Sequence, residues 1–372
     1  MRARHFSLLG VIITLFAFFL YCVIDQANHT LAGVIFAVLS LALLIGAGRL
    51  LLFPRLAPVP QTGAYAVASF DCFYTDPARI DPYADDGNFR QLSVTFWYPA
   101  DDTRKAGCPL IVFSHGSFGV KSSNETLYRE LASYGYVVCA MDHTYQCFTT
   151  WNADGRKIGL SSSFMREIMR VNPDRKPEEA LGYFQKWMSV RMGDIHFVLD
   201  TVLEKVKEQS GDPVYLLPDP KRIALIGHSL GGSAVLGAGR VRTDVSAVIS
   251  LEAPFMYDIK EVINGQFLFD ETPYPVPILN IYSDSGWKLV KQRGQYAEND
   301  DLLRSERADV HNTYLSGANH LGLTDFAMTS PFLSDLLSGN YAKNAPQKTL
   351  EQINTVCLAF LDHYLKARQS SP

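Results

Sequence analysis

A short apolar run that leads into Gly-His-Ser-Leu-Gly at positions 227–231 constrains the fold of this chain more than any other feature. Residues 223–226 have the composition of a buried strand, and the small residues at 232–236 suit a helix that lies close to it. Strand, tight turn and helix in this order form the nucleophile-elbow pattern, which pushes one serine hydroxyl out at the top of a sheet. The pattern predicts Ser229 as a nucleophile; the alternative is a tight turn with a buried serine.

The rest of the chain alternates between apolar runs and helical patterns. Strands are predicted at 110–113, 136–141, 223–226, 245–251, 277–282 and 312–315, and helices at 125–134, 177–208 and 350–365. Buried strands separated by helices indicate a doubly wound, mainly parallel sheet, so the predicted class is α/β and the predicted fold is the α/β-hydrolase fold. Two runs at 65–73 and 92–98 predict an opening antiparallel pair. The pattern is lost at about 145–190, which predicts a cap or lid insertion within a catalytic domain at 65–372.

Two apolar runs, at about 6–24 and 31–52, open the chain and are joined by a polar turn. Each is long enough to cross a bilayer, so we expect a transmembrane helical hairpin at 1–53, followed by a proline-rich linker at 54–64. Arginines flank both outer ends: Arg2, Arg4, Arg49 and Arg55. The positive-inside rule then predicts a multi-pass membrane protein with a cytoplasmic catalytic domain and the lipid bilayer as a partner. A cleaved signal before a buried helix, or a signal anchor with a re-entrant segment, are the alternatives.

Charge and cysteine usage narrow the classes of partner. The net charge is −4, whereas a nucleic-acid-binding protein needs a basic face, so no nucleic-acid partner is expected. The 6 cysteines are scattered without the spacing of a metal site, so neither a metal nor a cofactor is expected.

An activated serine needs a histidine base and a carboxylate that orients it. In this fold the chain order is serine, acid, histidine. The histidines that follow the elbow are His311, His320 and His363. We favour His320, because it lies in a glycine-flanked loop just after a predicted strand. Glu252 and Asp284 compete as the acid: each follows a predicted strand, and Asp284 has the more usual position in the fold.

Two backbone amides are candidates for an oxyanion hole. The residue after the nucleophile, Leu230, supplies one N–H, and the loop after the 110–113 strand supplies the second, for which we choose Ser117. An ordinary glycine-rich turn is the alternative for that loop. His143 at a predicted strand end and Phe118 beside Ser117 are candidate substrate contacts, although a histidine at such a place is more often structural.

Residues of about 65–366 resemble the platelet-activating-factor acetylhydrolase family, in its plasma and intracellular type II forms. Four segments carry the resemblance: 109–116, 131–143, 222–232 and 317–320, with Asp325-Phe326 following the last. The resemblance implies a calcium-independent serine esterase that acts on short or oxidised acyl groups of phospholipids. It also implies that the acid follows the strand after the elbow helix, which favours Glu252 over Asp284, although the family has aspartate there.

The hypothesis from sequence is a membrane-anchored serine carboxylester hydrolase that forms an acyl-enzyme, with an ester or phospholipid as substrate. A non-catalytic, membrane-tethered binding protein with the same fold is one alternative. A serine peptidase or an acyltransferase on the same fold is another.

Overall fold

The computed structural model of the chain describes residues 10–11, 13–21, 31–84, 87–100, 107–209 and 211–366. The strands are β1 (Val67–Ile80), β2 (Phe89–Pro99), β3 (Cys108–Ser114), β4 (Val137–Met141), β5 (Thr149–Trp151), β6 (Lys157–Gly159), β7 (Pro218–His228), β8 (Val245–Leu251), β9 (Ile259–Ile263), β10 (Gln266–Phe269), β11 (Ile278–Ser283) and β12 (Val310–Leu315). The helices are α1 (Leu31–Leu52), α2 (Glu125–Ser133), α3 (Ser162–Arg170), α4 (Pro177–Glu208), α5 (Leu230–Val241), α6 (Asp284–Gln292), α7 (Ala297–Leu303), α8 (Phe326–Thr329), α9 (Pro331–Ser338) and α10 (Pro346–Leu361).

The central sheet has the strand order β1-β2-β4-β3-β7-β8-β11-β12. From β4 to β12 neighbouring strands are parallel, whereas β2 runs antiparallel to both β1 and β4. Every residue of β3 and β4 is buried, as expected of strands covered on both faces. The predicted mainly parallel sheet and its opening antiparallel pair are therefore confirmed.

Helices cover both faces of this sheet. On one face, α4 and α5 pack their apolar side chains, among them Val198 and Val235, against the strands. On the other face, α2 and α10 contribute a second buried cluster that includes Leu131 and Ile353. This arrangement is the doubly wound layering that alternating strands and helices predicted.

No helix in the described part of the chain is long and apolar enough to cross a membrane. The predicted transmembrane hairpin is therefore wrong, and with it the multi-pass membrane location and the lipid bilayer as a partner. Without the two spans, the flanking arginines no longer place the catalytic domain on the cytoplasmic side. Residues 6–9, 12 and 22–24 of the first predicted span lie outside the described residues. The second apolar run forms α1, which contacts α9, and Leu51 near its end is buried.

The segment at 145–176 interrupts the alternation of strand and helix, as the sequence predicted for the start of the insertion. It contains the antiparallel β5–β6 hairpin and α3. It packs against the loop after β3: the Phe148 N–H donates to the Gly119 carbonyl over 3.2 Å, and the Phe118 and Phe164 rings lie 5.8 Å apart. The remainder of the predicted insertion, from residue 177 to about 190, belongs to helix α4, which packs against the central sheet. That the segment acts as a cap stays a prediction.

Parallel strands bring their carboxyl ends to one edge of a sheet, where ligands bind in open α/β folds. Here β3, β7, β8 and β12 end at that shared edge. The elbow, the residue after β8 and the loops after β3 and β12 therefore converge there.

Candidate active site

The turn between β7 and α5 holds Ser229 in a conformation that is unfavourable for a residue with a side chain. Its φ is 53° and its ψ is −125°. The turn closes tightly, because a Cβ at Gly227 would collide with the Gly231 carbonyl, and one at Gly231 would collide with the Ser114 carbonyl. Strain of this kind persists only where the surroundings enforce it. The local sequence therefore places Ser229 at the end of β7, where this residue is half-exposed.

The structure brings Ser229, His320 and Glu252 into one hydrogen-bonded chain. The Ser229 Oγ lies 3.0 Å from His320 Nε2, and His320 Nδ1 lies 2.7 Å from Glu252 Oε1. The carboxylate accepts a hydrogen bond from Nδ1–H, so Nε2 is unprotonated and its lone pair points towards the serine hydroxyl. The second carboxylate oxygen, Oε2, accepts the Ser283 N–H over 2.7 Å. The Glu252 side chain is fully buried, so its orientation is fixed from both oxygens.

Glu252 needs room for its longer side chain, and Gly286 provides it. The backbone of Glu252 turns sharply after β8, with a φ of 56°, and its N–H donates to the Ile281 carbonyl over 2.8 Å. A Cβ at position 286 would lie only 2.5 Å from both Cγ and Cδ of Glu252. The missing side chain in the first turn of α6 therefore leaves the space that the glutamate occupies.

Asp284 has other partners. Its Oδ1 accepts the Tyr314 hydroxyl over 2.6 Å and the Gly317 N–H over 3.1 Å. The hydrogen bond to this carboxylate raises the pKa of Tyr314. Asp284 thus ties β12 and the beginning of the following loop to α6. Of the two predicted acids, the structure places Glu252, and not Asp284, against the imidazole.

The backbone of the His320 loop is held from two sides. His228 donates from Nε2 to the His320 carbonyl over 3.1 Å, and burial lowers the pKa of His228 well below its ordinary value, so this imidazole is neutral. Asn319 donates to Asp335 over 2.7 Å and accepts the Gly322 N–H over 2.7 Å. Sequence reasoning missed both supporting residues, although each directly precedes a residue that it singled out.

The two amides predicted for the oxyanion hole lie in elements that adjoin Ser229. Leu230 is the first residue of α5, so its N–H has no acceptor within the helix. Ser117 follows Gly116, whose backbone packs against Ser229: a Cβ at Gly116 would lie 3.2 Å from the Ser229 Cβ. Participation of these amides in the reaction stays a prediction.

A second serine–histidine–carboxylate chain lies buried behind the loop that follows β3. The Ser114 Oγ is 2.7 Å from His143 Nε2, and His143 Nδ1 is 2.8 Å from Asp194 Oδ2. All three residues are completely inaccessible to solvent. His143, predicted as a substrate contact, therefore has both ring nitrogens engaged within the protein. Phe118 is half-buried against Phe164, and contact of either predicted residue with substrate stays a prediction.

Charge in this buried region is balanced around Asp194. Arg90 grips its carboxylate through two hydrogen bonds of 2.7 and 2.6 Å and also reaches Asp81 over 2.7 Å. Although burial opposes ionisation of Asp194, Arg90 holds the pKa of this carboxyl below its ordinary value. Burial, assisted by the cation of Arg191, lowers the pKa of His143 to about 4. His143 is therefore neutral, and its Nε2 accepts a hydrogen bond from the Ser114 hydroxyl.

The accessible chain of hydroxyl, imidazole and carboxylate is the arrangement that activates a serine for attack on an acyl carbon. The imidazole of His320 is 29 % exposed, so a substrate can approach from that side. In the residues that the structure describes, no cluster of three or more histidine, cysteine or acidic side chains could hold a metal ion.

The fold belongs to a known class. Among solved structures, a ferulic acid esterase from Streptomyces cinnamoneus superposes with a TM-score of 0.60 at 21% identity, covering 86% of this chain and 94% of that one. The likeness shows that the chain has the α/β-hydrolase fold, as predicted.

The family follows from the sequence of the domain. Residues 98–207 and 217–371 match the family described as platelet-activating factor acetylhydrolase, isoform II, and the chain belongs to that family. This confirms the resemblance on which the choice of Glu252 depended.

Curated relatives agree with this assignment. A platelet-activating factor acetylhydrolase of Cavia porcellus is 23% identical over 69% of this chain and 57% of its own length. One of Canis lupus familiaris is 25% identical over 70% and 58%. A probable 1-alkyl-2-acetylglycerophosphocholine esterase of Arthroderma benhamiae is 27% identical over 38% and 31%. The chain thus spans a little under three fifths of the length of the first two relatives.

Proposed function

We propose that this protein is a serine ester hydrolase that works through an acyl-enzyme. The observation that carries the proposal is the half-exposed chain from Ser229 through His320 to buried Glu252, with contacts of 3.0 and 2.7 Å. The reaction follows from these contacts. The Ser229 Oγ bonds to the acyl carbon while its proton passes to His320 Nε2, and the Glu252 carboxylate stabilises the imidazolium that forms.

The collapse of the tetrahedral intermediate completes the first half of the reaction. The carbonyl oxygen that becomes negative is bound by the N–H groups of Ser117 and Leu230 in our assignment. The bond to the leaving alcohol breaks, and the alcohol takes the proton from His320. A water molecule then attacks the acyl-enzyme by the same route, with His320 again as base, and releases the carboxylic acid and free Ser229.

For the substrate we propose short-chain or lipid-type esters, the class to which acetylated glycerophospholipids belong. The support is the family together with the relatives, which are named for the hydrolysis of acetyl esters. A chain-length series distinguishes this from a general esterase: kcat/KM should be highest for acetyl to butyryl esters and fall for long acyl chains.

Covalent labelling tests the nucleophile. Wild-type protein should react with a fluorophosphonate probe, whereas Ser229→Ala should not, and its kcat on p-nitrophenyl acetate should fall by about 10³-fold or more. Ser117→Ala is the matched control, because our assignment uses only the backbone N–H of that residue. If Ser229→Ala kept wild-type turnover, the proposal would be wrong. A folded wild type that neither labels nor hydrolyses any ester would favour a non-catalytic binding protein.

The acid is tested by a matched pair of amides. Glu252→Gln should lower kcat by roughly 10³- to 10⁴-fold, because the imidazole loses the carboxylate that sets its tautomer. Asp284→Asn keeps an oxygen that can accept from Tyr314 and Gly317, so its kcat should stay within about threefold of wild type. The reverse order of these two variants would assign the acid to Asp284.

A further inference from the structure

A buried arginine with no carboxylate partner lies behind the loop between β3 and α2. Arg191, on α4, is completely inaccessible to solvent. In the described ranges no acidic side chain forms an ion pair with it. Asp194, three residues further along the helix, is bonded to Arg90 and His143 instead. A buried charge is costly unless its hydrogen bonds are satisfied, so the acceptors that Arg191 does use are informative.

Those acceptors are the carbonyl groups of the loop that carries Ser117. The Arg191 Nη1 donates to the His115 carbonyl, and Nη2 approaches the Gly116 carbonyl at 3.5 Å. The Nε donates to Gln146 Oε1 over 2.8 Å. The main-chain carbonyl of Gln146 in turn accepts the Phe118 N–H over 3.2 Å. The guanidinium therefore holds the loop on both sides of Ser117, directly and through Gln146.

The Gly116 carbonyl accepts two further hydrogen bonds. His115 donates to it from Nδ1 over 2.7 Å, and the Gly119 N–H donates over 3.1 Å. The other nitrogen of His115 accepts the His143 N–H over 3.1 Å, which fixes the tautomer. The turn closed in this way contains Phe118 at a φ of 62°, a conformation that needs external support.

The Gly116 carbonyl and the Ser117 N–H belong to the same peptide group. Donors on the oxygen polarise the group and make the N–H a stronger donor, because hydrogen bonds along a chain reinforce each other in a low-dielectric interior. We propose that Arg191 is a positioning residue for the oxyanion hole. It aims and polarises the Ser117 N–H by holding the carbonyls of His115 and Gly116. The inference rests on the proposed ester hydrolysis.

Several features of this arrangement suit such a role. Burial lowers the pKa of Arg191, and the neighbouring Asp194 carboxylate opposes that shift, so the side chain keeps its charge. A lysine could not replace it fully, since an ammonium group lacks the planar fork that reaches two carbonyls and Gln146 together. The charge also lies on the protein side of the loop, where substrate cannot contact it.

The test compares catalysis with the binding of an oxyanion. Arg191→Met and Arg191→Lys are assayed with p-nitrophenyl acetate as substrate and with a methyl trifluoromethyl ketone as inhibitor. The carbonyl carbon of this ketone bonds to the Ser229 Oγ, the serine proton passes to His320, and a tetrahedral anion forms. For the methionine variant we expect kcat to fall about 10²-fold, KM to change less than about threefold, and the inhibition constant to rise in parallel with the loss of kcat. The lysine variant should lose roughly tenfold in both quantities.

Controls separate this inference from the proposed function. Arg240→Met removes another largely buried arginine, one that pairs with Asp258 away from the loop, and should leave both quantities unchanged. Ser229→Ala must be inactive; if it is active, the proposed function itself fails. A folded Arg191→Met with wild-type kcat, or with kcat lost and the inhibition constant unchanged, would overturn the role of Arg191. If that variant does not fold, Arg191→Lys decides, and wild-type values in it would overturn the inference equally.

Discussion

Replacing Gly286 with alanine tests the orientation of Glu252, because the substitution itself removes no group that takes part in proton transfer. The new Cβ would lie 2.5 Å from Cγ and Cδ of Glu252. Carbon atoms of packed side chains rest about 3.5 to 4.0 Å apart, so the two must separate by about 1 Å. The glutamate cannot turn away freely, since it is buried and its Oε2 is held by the Ser283 N–H.

The rate should respond strongly to this displacement. A misplacement of about 1 Å at a reacting or orienting group can lower the rate by about 10²-fold. We therefore expect Gly286→Ala to reduce kcat on p-nitrophenyl acetate by about that factor, with KM little changed. Gly182→Ala on α4 is the matched control, because a Cβ there meets no atom within 4 Å, and it should keep the wild-type kcat.

A double variant shows whether the effect passes through Glu252. In Gly286→Ala combined with Glu252→Gln, the carboxylate is already lost, so the alanine should add less than about threefold to the loss of kcat. Circular dichroism and urea unfolding establish that each protein is folded. Wild-type kcat in folded Gly286→Ala, or losses that multiply fully in the double variant, would refute the reasoning.

Three further predictions concern the buried region. Arg90→Met should lower the free energy of unfolding in urea by roughly 3 to 5 kcal/mol, because it leaves the buried Asp194 carboxylate without its two-pronged partner; a loss below about 1 kcal/mol would contradict this. Because burial lowers the pKa of His143 to about 4, the free energy of unfolding should decrease as the pH falls from about 6.5 towards 4. His143→Gln should flatten that decrease in urea titrations, and an unchanged slope would count against it. Gly231→Ala should abolish soluble expression, since its Cβ would collide with the Ser114 carbonyl; a folded, active variant would show that the elbow can relax.

The parts of the site that were predictable from sequence are local. The elbow is recognisable in the consecutive residues 223–236, because a buried strand, two glycines and a close-packed helix must follow one another around Ser229. His320 was recognisable from its glycine-flanked loop after a strand. The parallel sheet followed from the alternation of buried runs and helical patterns, which needs no knowledge of distant contacts.

The choice between Glu252 and Asp284 was not local. Both follow parallel strands that end at the same edge, so their immediate sequences look alike. Tertiary contacts distinguish the two carboxylates. The space at Gly286 and the Ser283 N–H fix the carboxylate of Glu252. The carboxylate of Asp284 instead accepts a hydrogen bond from the Tyr314 hydroxyl. Sequence favoured Glu252 only through the family resemblance.

The residues that support the loop after β3 were missed for the same reason. Arg191 and Asp194 lie 50 or more residues from His115 and His143, which they hold, in a helix that shows no motif. The N-terminal error has a different origin. Hydropathy alone led to the prediction of a membrane span at 31–52, but it does not distinguish such a span from an apolar helix of another kind.

The buried chain of Ser114, His143 and Asp194 has one more consequence. Its contacts of 2.7 and 2.8 Å match those around Ser229 closely, so a search by interatomic distance alone would return two nucleophiles in one molecule. Ser114 ends a fully covered strand, whereas a strained turn projects Ser229 towards an imidazole open to solvent. The same three functional groups thus stabilise the interior in one place and form the reactive site that we propose in the other. The two sets have similar interatomic distances and differ in their access to solvent.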